Sequence, residues 1–354
     1  MKLRKLLLAT TLAIPAMGYC GFIDWIQGYP EVKEKIEQKL EQQYHGEKFD
    51  VSGISYSDNL GGYNFDYKPS DKKSDAEYSG SYFPKTDRLL ATGYMWSSIG
   101  KQWQDMFKPY IDKVGTNYLI IGGLGSGSPG SGEEDKATQQ KYFNQVNDSL
   151  AYMFKTGSAE EWIAVKHDYI RGNISLFIDV PETTEGIYKT LQMIESINNK
   201  LRSFHLYSYK LEVITYKVPQ GFNIDNYFDE VKGDFHTTHA WWFVEGIQKY
   251  AWGYFNVRGC MPTNAFEKAC NTQYGNSDLD SRKEGVLYNT TADRLNNLQD
   301  ITNQFRLVDE FGVAGKCTPS GSCYAQWAVN SRANTQLKDI QYYSDLEKLI
   351  SENK

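Results

Sequence analysis

Beyond its first twenty residues the sequence has no apolar run of the roughly 20 residues that a membrane-spanning helix requires, so no transmembrane segment is expected. Positive charge is in deficit, with 38 Lys and Arg against 44 Asp and Glu. The electrostatic footprint of a nucleic-acid or anionic-lipid binder is therefore missing. No Gly-x-Ser-x-Gly elbow is present, so a nucleophilic hydrolase would need a Ser-His-Asp trio assembled from distant residues. Histidine and cysteine are both scarce at five each. The short histidine inventory leaves few places for imidazole chemistry.

What is present begins with an export pattern. Lys2, Arg4 and Lys5 precede a short apolar stretch, Leu6 to Ile14, followed by small residues suited to cleavage after Gly18 or after Cys20. Removal of this leader takes three positive charges with it and makes the formal net charge of −6 more negative. A lipid anchor at Cys20 is disfavoured because Tyr19 stands where bacterial lipoprotein signals carry a small residue. The expected location is the periplasm or the exterior of a bacterial cell.

Cysteine usage fits an oxidising compartment. Cys260, Cys270, Cys317 and Cys323 form an even set, and the simplest pairing is local, Cys260 with Cys270 and Cys317 with Cys323, although four cysteines allow three pairings. Each such loop contributes roughly 2–3 kcal/mol in the chain-entropy picture. A four-cysteine zinc site is disfavoured, since its ligand pairs usually stand two to four residues apart.

Periodicity suggests an α+β fold, with helices packed on mixed or antiparallel sheets and an aromatic-rich, disulfide-bonded C-terminal region. Val32, Ile36, Leu40 and Tyr44 recur every four residues behind Pro30, which predicts a helix. Strands are expected at 48–56 and 63–68 across a turn at Asn59–Gly62, and a solvated loop at 69–81. A second amphipathic helix is expected near Ser98–Ile111, with Pro109 as a place for it to end early, and a strand at Tyr118–Ile121. Helices at 137–154 and 183–201 alternate with strands at 174–180 and 206–218, and further helices are expected near 292–305 and 337–350. The helix and two strands of residues 30 to 68 resemble small modules common in bacterial secreted proteins of unknown role, a resemblance that implies no activity. The expected organisation is a signal peptide at 1–20, an N-terminal α+β domain at 21–121, a Gly/Ser-rich loop or linker at 122–135, a middle α+β domain at 136–220 and a disulfide-containing region at 221–354.

Three stretches carry candidate chemistry. Gly125 to Gly130 matches the letters of a dinucleotide fingerprint, but Pro129 removes a donor and Glu133, Glu134 and Asp135 would repel a phosphate, so it is read as a loop. Asp234, His236, His239 and Glu245 concentrate ligand-type side chains that could hold a transition metal, against the plainer alternative of a polar turn entering an aromatic strand; no other cofactor is expected. Trp241, Trp242, Trp252, Tyr254 and Phe255 offer either a stacking platform for a glycan or protein partner, or core packing. The leading expectation is non-enzymatic binding of a protein or other ligand, for instance as an inhibitor or immunity partner. The alternatives are a metal-dependent hydrolase using His236 and His239, and a structural or adhesive surface protein.

Overall fold

The computed structural model describes residues 29–70, 76–127, 135–231, 247, 250–260, 290–291, 295–307, 316–317, 323–324 and 335–353. The chain divides into two compact units, Met1–Ser98 and Ile99–Lys354. The first contains α1 (Pro30–Gln43) and strands β1 (Phe49–Ser57), β2 (Gly62–Pro69), β3 (Tyr78–Phe83) and β4 (Arg88–Leu90), all antiparallel in the order β1-β2-β3-β4. Pro30 occupies the first turn of α1, where its missing N–H costs nothing, and Ile36 and Leu40 are fully buried one turn apart. Side chains alternate across each strand. One sheet face therefore buries Phe49, Val51, Phe65, Tyr67 and Tyr82, and the other is mostly polar, with Asn64, Asp66, Lys68, Ser79 and Ser81.

Two details hold this unit together. The β3–β4 turn places Asp87 at a positive φ of 51°, where its carboxylate accepts from Lys39 Nζ at 2.8 Å, Tyr82 Oη at 2.9 Å and Lys35 Nζ at 3.1 Å. These hydrogen bonds and charges hold the Asp87 carboxyl well below the usual carboxylate range. Under the helix, Tyr44 Oη donates to the Ala91 carbonyl at 2.5 Å, and Tyr67 Oη accepts from the Tyr94 N–H at 3.2 Å. Burial raises both hydroxyl pKa values, so both stay protonated.

The division between units falls within α2 (Gly93–Asp105), which is followed by α3 (Lys108–Ile111). The expected helix at 98–111 thus begins earlier and breaks before Pro109, which is tolerated in the first turn of α3. The second unit continues with β5 (Tyr118–Ser126), α4 (Lys136–Thr156), α5 (Ala159–Lys166), β6 (Ile170–Asp179), α6 (Thr184–Ser203), β7 (Ser208–Tyr216), α7 (Ile224–Val231) and β8 (Ala251–Cys260). Beyond these lie β9 (Thr290–Thr291), α8 (Leu298–Gln304), β10 (Arg306–Leu307), β11 (Lys316–Cys317), β12 (Cys323–Tyr324), β13 (Thr335–Gln336) and α9 (Tyr342–Glu352).

A mixed seven-stranded sheet runs β13-β10-β8-β7-β6-β5, with β9 beside β8. β6 and β7 are parallel, joined through α6, while β5–β6, β7–β8, β8–β10 and β10–β13 are antiparallel. The fold is therefore α+β, with helices on one antiparallel and one mixed sheet. The large sheet takes strands from sequence expected to span three regions. Thr183 caps α6 by accepting from the Gly186 N–H at 3.1 Å, and the helix buries Ile187, Leu191, Ile194, Ile197 and Leu201. β7 is covered on both faces, as a central strand flanked by helices must be.

β5 extends five residues past its expected end, through Gly122–Ser126. Gly122 permits this: a Cβ there would lie 2.2 Å from the Asn173 carbonyl oxygen, and Gln104 Nε2 donates to the Gly122 carbonyl at 2.9 Å. The expected loop at 69–81 is also corrected, because residues from Tyr78 onward form β3.

Candidate functional site

Most of the sequence-predicted site lies outside the described residues. Asp234, His236, His239, Trp241, Trp242 and Glu245 lie outside the described residues, as do Cys20 and Cys270. Among the described residues no group of three or more His, Cys, Asp and Glu is placed to hold a metal ion, and no helix is long and apolar enough to cross a membrane. Trp252 and Tyr254 are described and each is 3% exposed. Their rings are covered and their polar tips are satisfied internally: Trp252 Nε1 donates to the Val180 carbonyl at 2.8 Å, and Tyr254 Oη donates to Glu212 Oε1 at 3.1 Å. Phe255 is fully buried. Gly125 and Ser126, from the fingerprint-like stretch, are strand residues of β5. In the β11–β12 ladder Cys317 stands directly opposite Cys323, and Cys260 ends β8.

Sequence reasoning missed Glu212, a carboxylate only 1% exposed in the middle of β7. Its neighbours follow from strand register. Ser175 of β6 is its Cα partner on one side and Asn256 of β8 on the other. Ser175 Oγ donates to Glu212 Oε2 at 3.0 Å and Lys210 Nζ to the same oxygen at 3.2 Å. Tyr254 serves the other oxygen and accepts from Asn256 Nδ2 at 2.7 Å. A buried carboxylate persists only when paired and hydrogen-bonded in this way. Further along β7, burial, with the Glu212 charge and Tyr227 adding to it, pushes the Tyr216 hydroxyl upward in pKa. With its acceptors filled by fixed partners, Glu212 acts here as a structural anchor of three strands.

The first unit offers the more open surface. The face of its sheet opposite α1 has a concave patch of about 380 Å³, lined among others by Ser55, Asn64, Asp66, Ser79, Ser81 and Leu90. The register explains the composition, since Ser55 pairs with Asn64, Asn64 with Ser81, and Ser81 with Leu90, while Ser52 pairs with Asp66 and Asp66 with Ser79. A bulge interrupts β1 between Ser52 and Ser55, and Gly53 there takes a φ of +61° that L side chains rarely adopt. Three serine protons are committed within the face. Ser79 Oγ donates to Asp66 Oδ1 at 2.8 Å, Ser81 Oγ to Asn64 Oδ1 at 2.9 Å and Ser52 Oγ to Glu77 Oε1 at 3.0 Å. The patch is thus a largely pre-ordered, shallow polar surface whose one lining charge is the Asp66 carboxylate. In sequence its third strand was hidden inside a Lys/Asp/Ser-rich stretch; the alternation Tyr78, Gly80, Tyr82 against Ser79 and Ser81 was the available signal.

No protein-family model matches this chain, and no curated protein matches it. Among solved structures, a DUF5037 family protein from Ruminococcus gnavus is similar over 68% of this chain and 99% of that chain, with 16% identity and a TM-score of 0.35.

Proposed function

We propose that this chain is an exported protein of the bacterial envelope, periplasmic or secreted, that works by binding a macromolecular partner without catalysing a reaction. The observation that carries this reading is the open outer face of the four-stranded sheet: a helix packs one side, and the other presents a concave surface of short, pre-ordered polar groups. Short side chains already fixed by mutual hydrogen bonds lose little rotamer freedom when a partner covers them. Support for export comes from the leader-like residues 2–18, and the acidic balance of the whole chain suits a protein partner better than a nucleic acid.

The test is capture from envelope extracts with the mature chain, run beside Ser81→Arg, which places a long charged side chain on the patch. A specific partner retained by the wild type and lost by the variant, with unchanged circular dichroism, is the expected result. Capture that ignores the substitution, or turnover of a substrate by the purified protein, would overturn the reading.

The same proposal includes two local disulfides, Cys317 with Cys323 and Cys260 with Cys270. The even set of four distal cysteines and the short spacing within each pair support this pairing. Mass spectrometry of a non-reduced digest is expected to recover both linked peptide pairs, and a Cys260–Cys323 link would refute the pairing.

A further inference from the structure

The patch on the outer sheet face has a charge as well as a shape. Asp66 lines it, and Glu77 lies beside it, accepting from Ser52, the ladder partner of Asp66. Among the described residues neither carboxylate takes part in an ion pair. Among the described strand residues of β1–β4, the cations are Lys68, which stands opposite Asp50 in the ladder, and Arg88 at the far end opposite Phe83. The lysines of α1 near this sheet, Lys35 and Lys39, are held by Asp87. We propose that the patch receives a lysine or arginine side chain from a basic protein partner, with the cationic head at Asp66 and the aliphatic stem along Leu90.

This inference rests on the binding reading above and adds the partner's chemistry to it. Three features favour an organic cation. Ser79 has given its one proton to Asp66, so its remaining lone pairs, with the second oxygen of Asp66, present acceptors to an N–H-rich group. Leu90, 40% exposed at the edge of the patch, supplies apolar surface for a methylene stem. The whole chain carries a formal charge of −6, which attracts basic partners over longer range. A bare divalent ion is a poorer match, since calcium takes about 6–8 oxygen ligands and only one carboxylate lines the patch. A glycan is also a poorer match, because the one lining aromatic ring, Phe65, is 2% exposed and offers no stacking surface.

The experiment is fluorescence anisotropy with labelled oligolysine, oligoglutamate and Gly/Ser peptides of equal length, titrated with the full mature chain and its variants. Oligolysine alone is expected to bind, saturably, with affinity falling as salt approaches about 1 M. Asp66→Asn should weaken it roughly threefold, the size expected for one exposed charge pair. Ser79→Lys should abolish it, and guards against misfolding of the first variant; near-ultraviolet circular dichroism is recorded for both. Glu185→Gln, a control at an exposed carboxylate on α6, should leave it unchanged. Equal losses from Asp66→Asn and Glu185→Gln would mean diffuse acidity and overturn the proposal. Binding of the neutral peptide as tightly as oligolysine, or no peptide binding at all, also overturns it. If Ser81→Arg still abolishes partner capture in those cases, the binding reading survives without its cationic partner; if capture ignores Ser81→Arg, both fall.

Discussion

Asp87 shows how one side chain at a turn can tie a hairpin to a helix. Its carboxyl pKa is depressed, so it contributes stability that is present above the unfolded value, about 4, and is lost as the pH falls toward the folded one. Asp87→Asn is therefore expected to lower the melting temperature of the first unit at neutral pH, with the gap to wild type closing as the pH drops below about 4. Thermal melts across that range check the sign. Glu212 makes the complementary case inside the protein. Tyr254→Phe would remove the donor to Glu212 Oε1 and the acceptor for Asn256 Nδ2 together. Leaving such groups unpaired costs about 1–3 kcal/mol, to be read from urea denaturation.

At the scale of elements, much of the secondary structure could be read from periodicity. α1, β1, β2, α6 and β7 fall within a few residues of expectation, because each has an apolar stripe at its own period and α6 has a Thr cap. The misses have physical reasons. β3 was hidden because its outward residues are serines, whose composition also marks loops. The end of β5 was hidden because close approach to Asn173 requires glycine at position 122, and glycine runs suggest flexibility when no partner strand is visible. Gly122→Ala is expected to destabilise the second unit by about 1–3 kcal/mol through overlap with a backbone oxygen that cannot step aside, measurable by chemical denaturation. The same concealment applied to the binding patch, assembled from β1 to β4 by register alone. Glu212 was equally invisible, since a single glutamate between valine- and leucine-type neighbours does not announce the serine and tyrosine that other strands bring to it.

For the whole molecule, the division at Ser98 and Ile99 was not marked by any Gly/Ser-rich break; it falls inside a helix whose periodicity is continuous. Each unit has its own buried set, with Ile36, Phe65 and Tyr67 in the first and Ile174, Phe177 and Leu211 in the second. Calorimetry is expected to resolve two transitions rather than one, with Asp87→Asn moving only one of them and Tyr254→Phe only the other.

The two sheets also differ in how far along the chain their partners lie. Every neighbouring pair in the four-stranded sheet is consecutive in sequence, so each pairing closes a short loop. The seven-stranded sheet must bring β5 to β6 across two helices, β6 to β7 across a third, and β13 to β10 from well downstream. Loop closure is slower for such distant pairings, which places the two units in different kinetic regimes. Refolding followed by stopped flow should show a fast phase from the meander and a slower one from the mixed sheet. In a chain emerging from its N-terminus, the surface proposed to meet a partner would then be complete while the larger sheet is still collecting its strands.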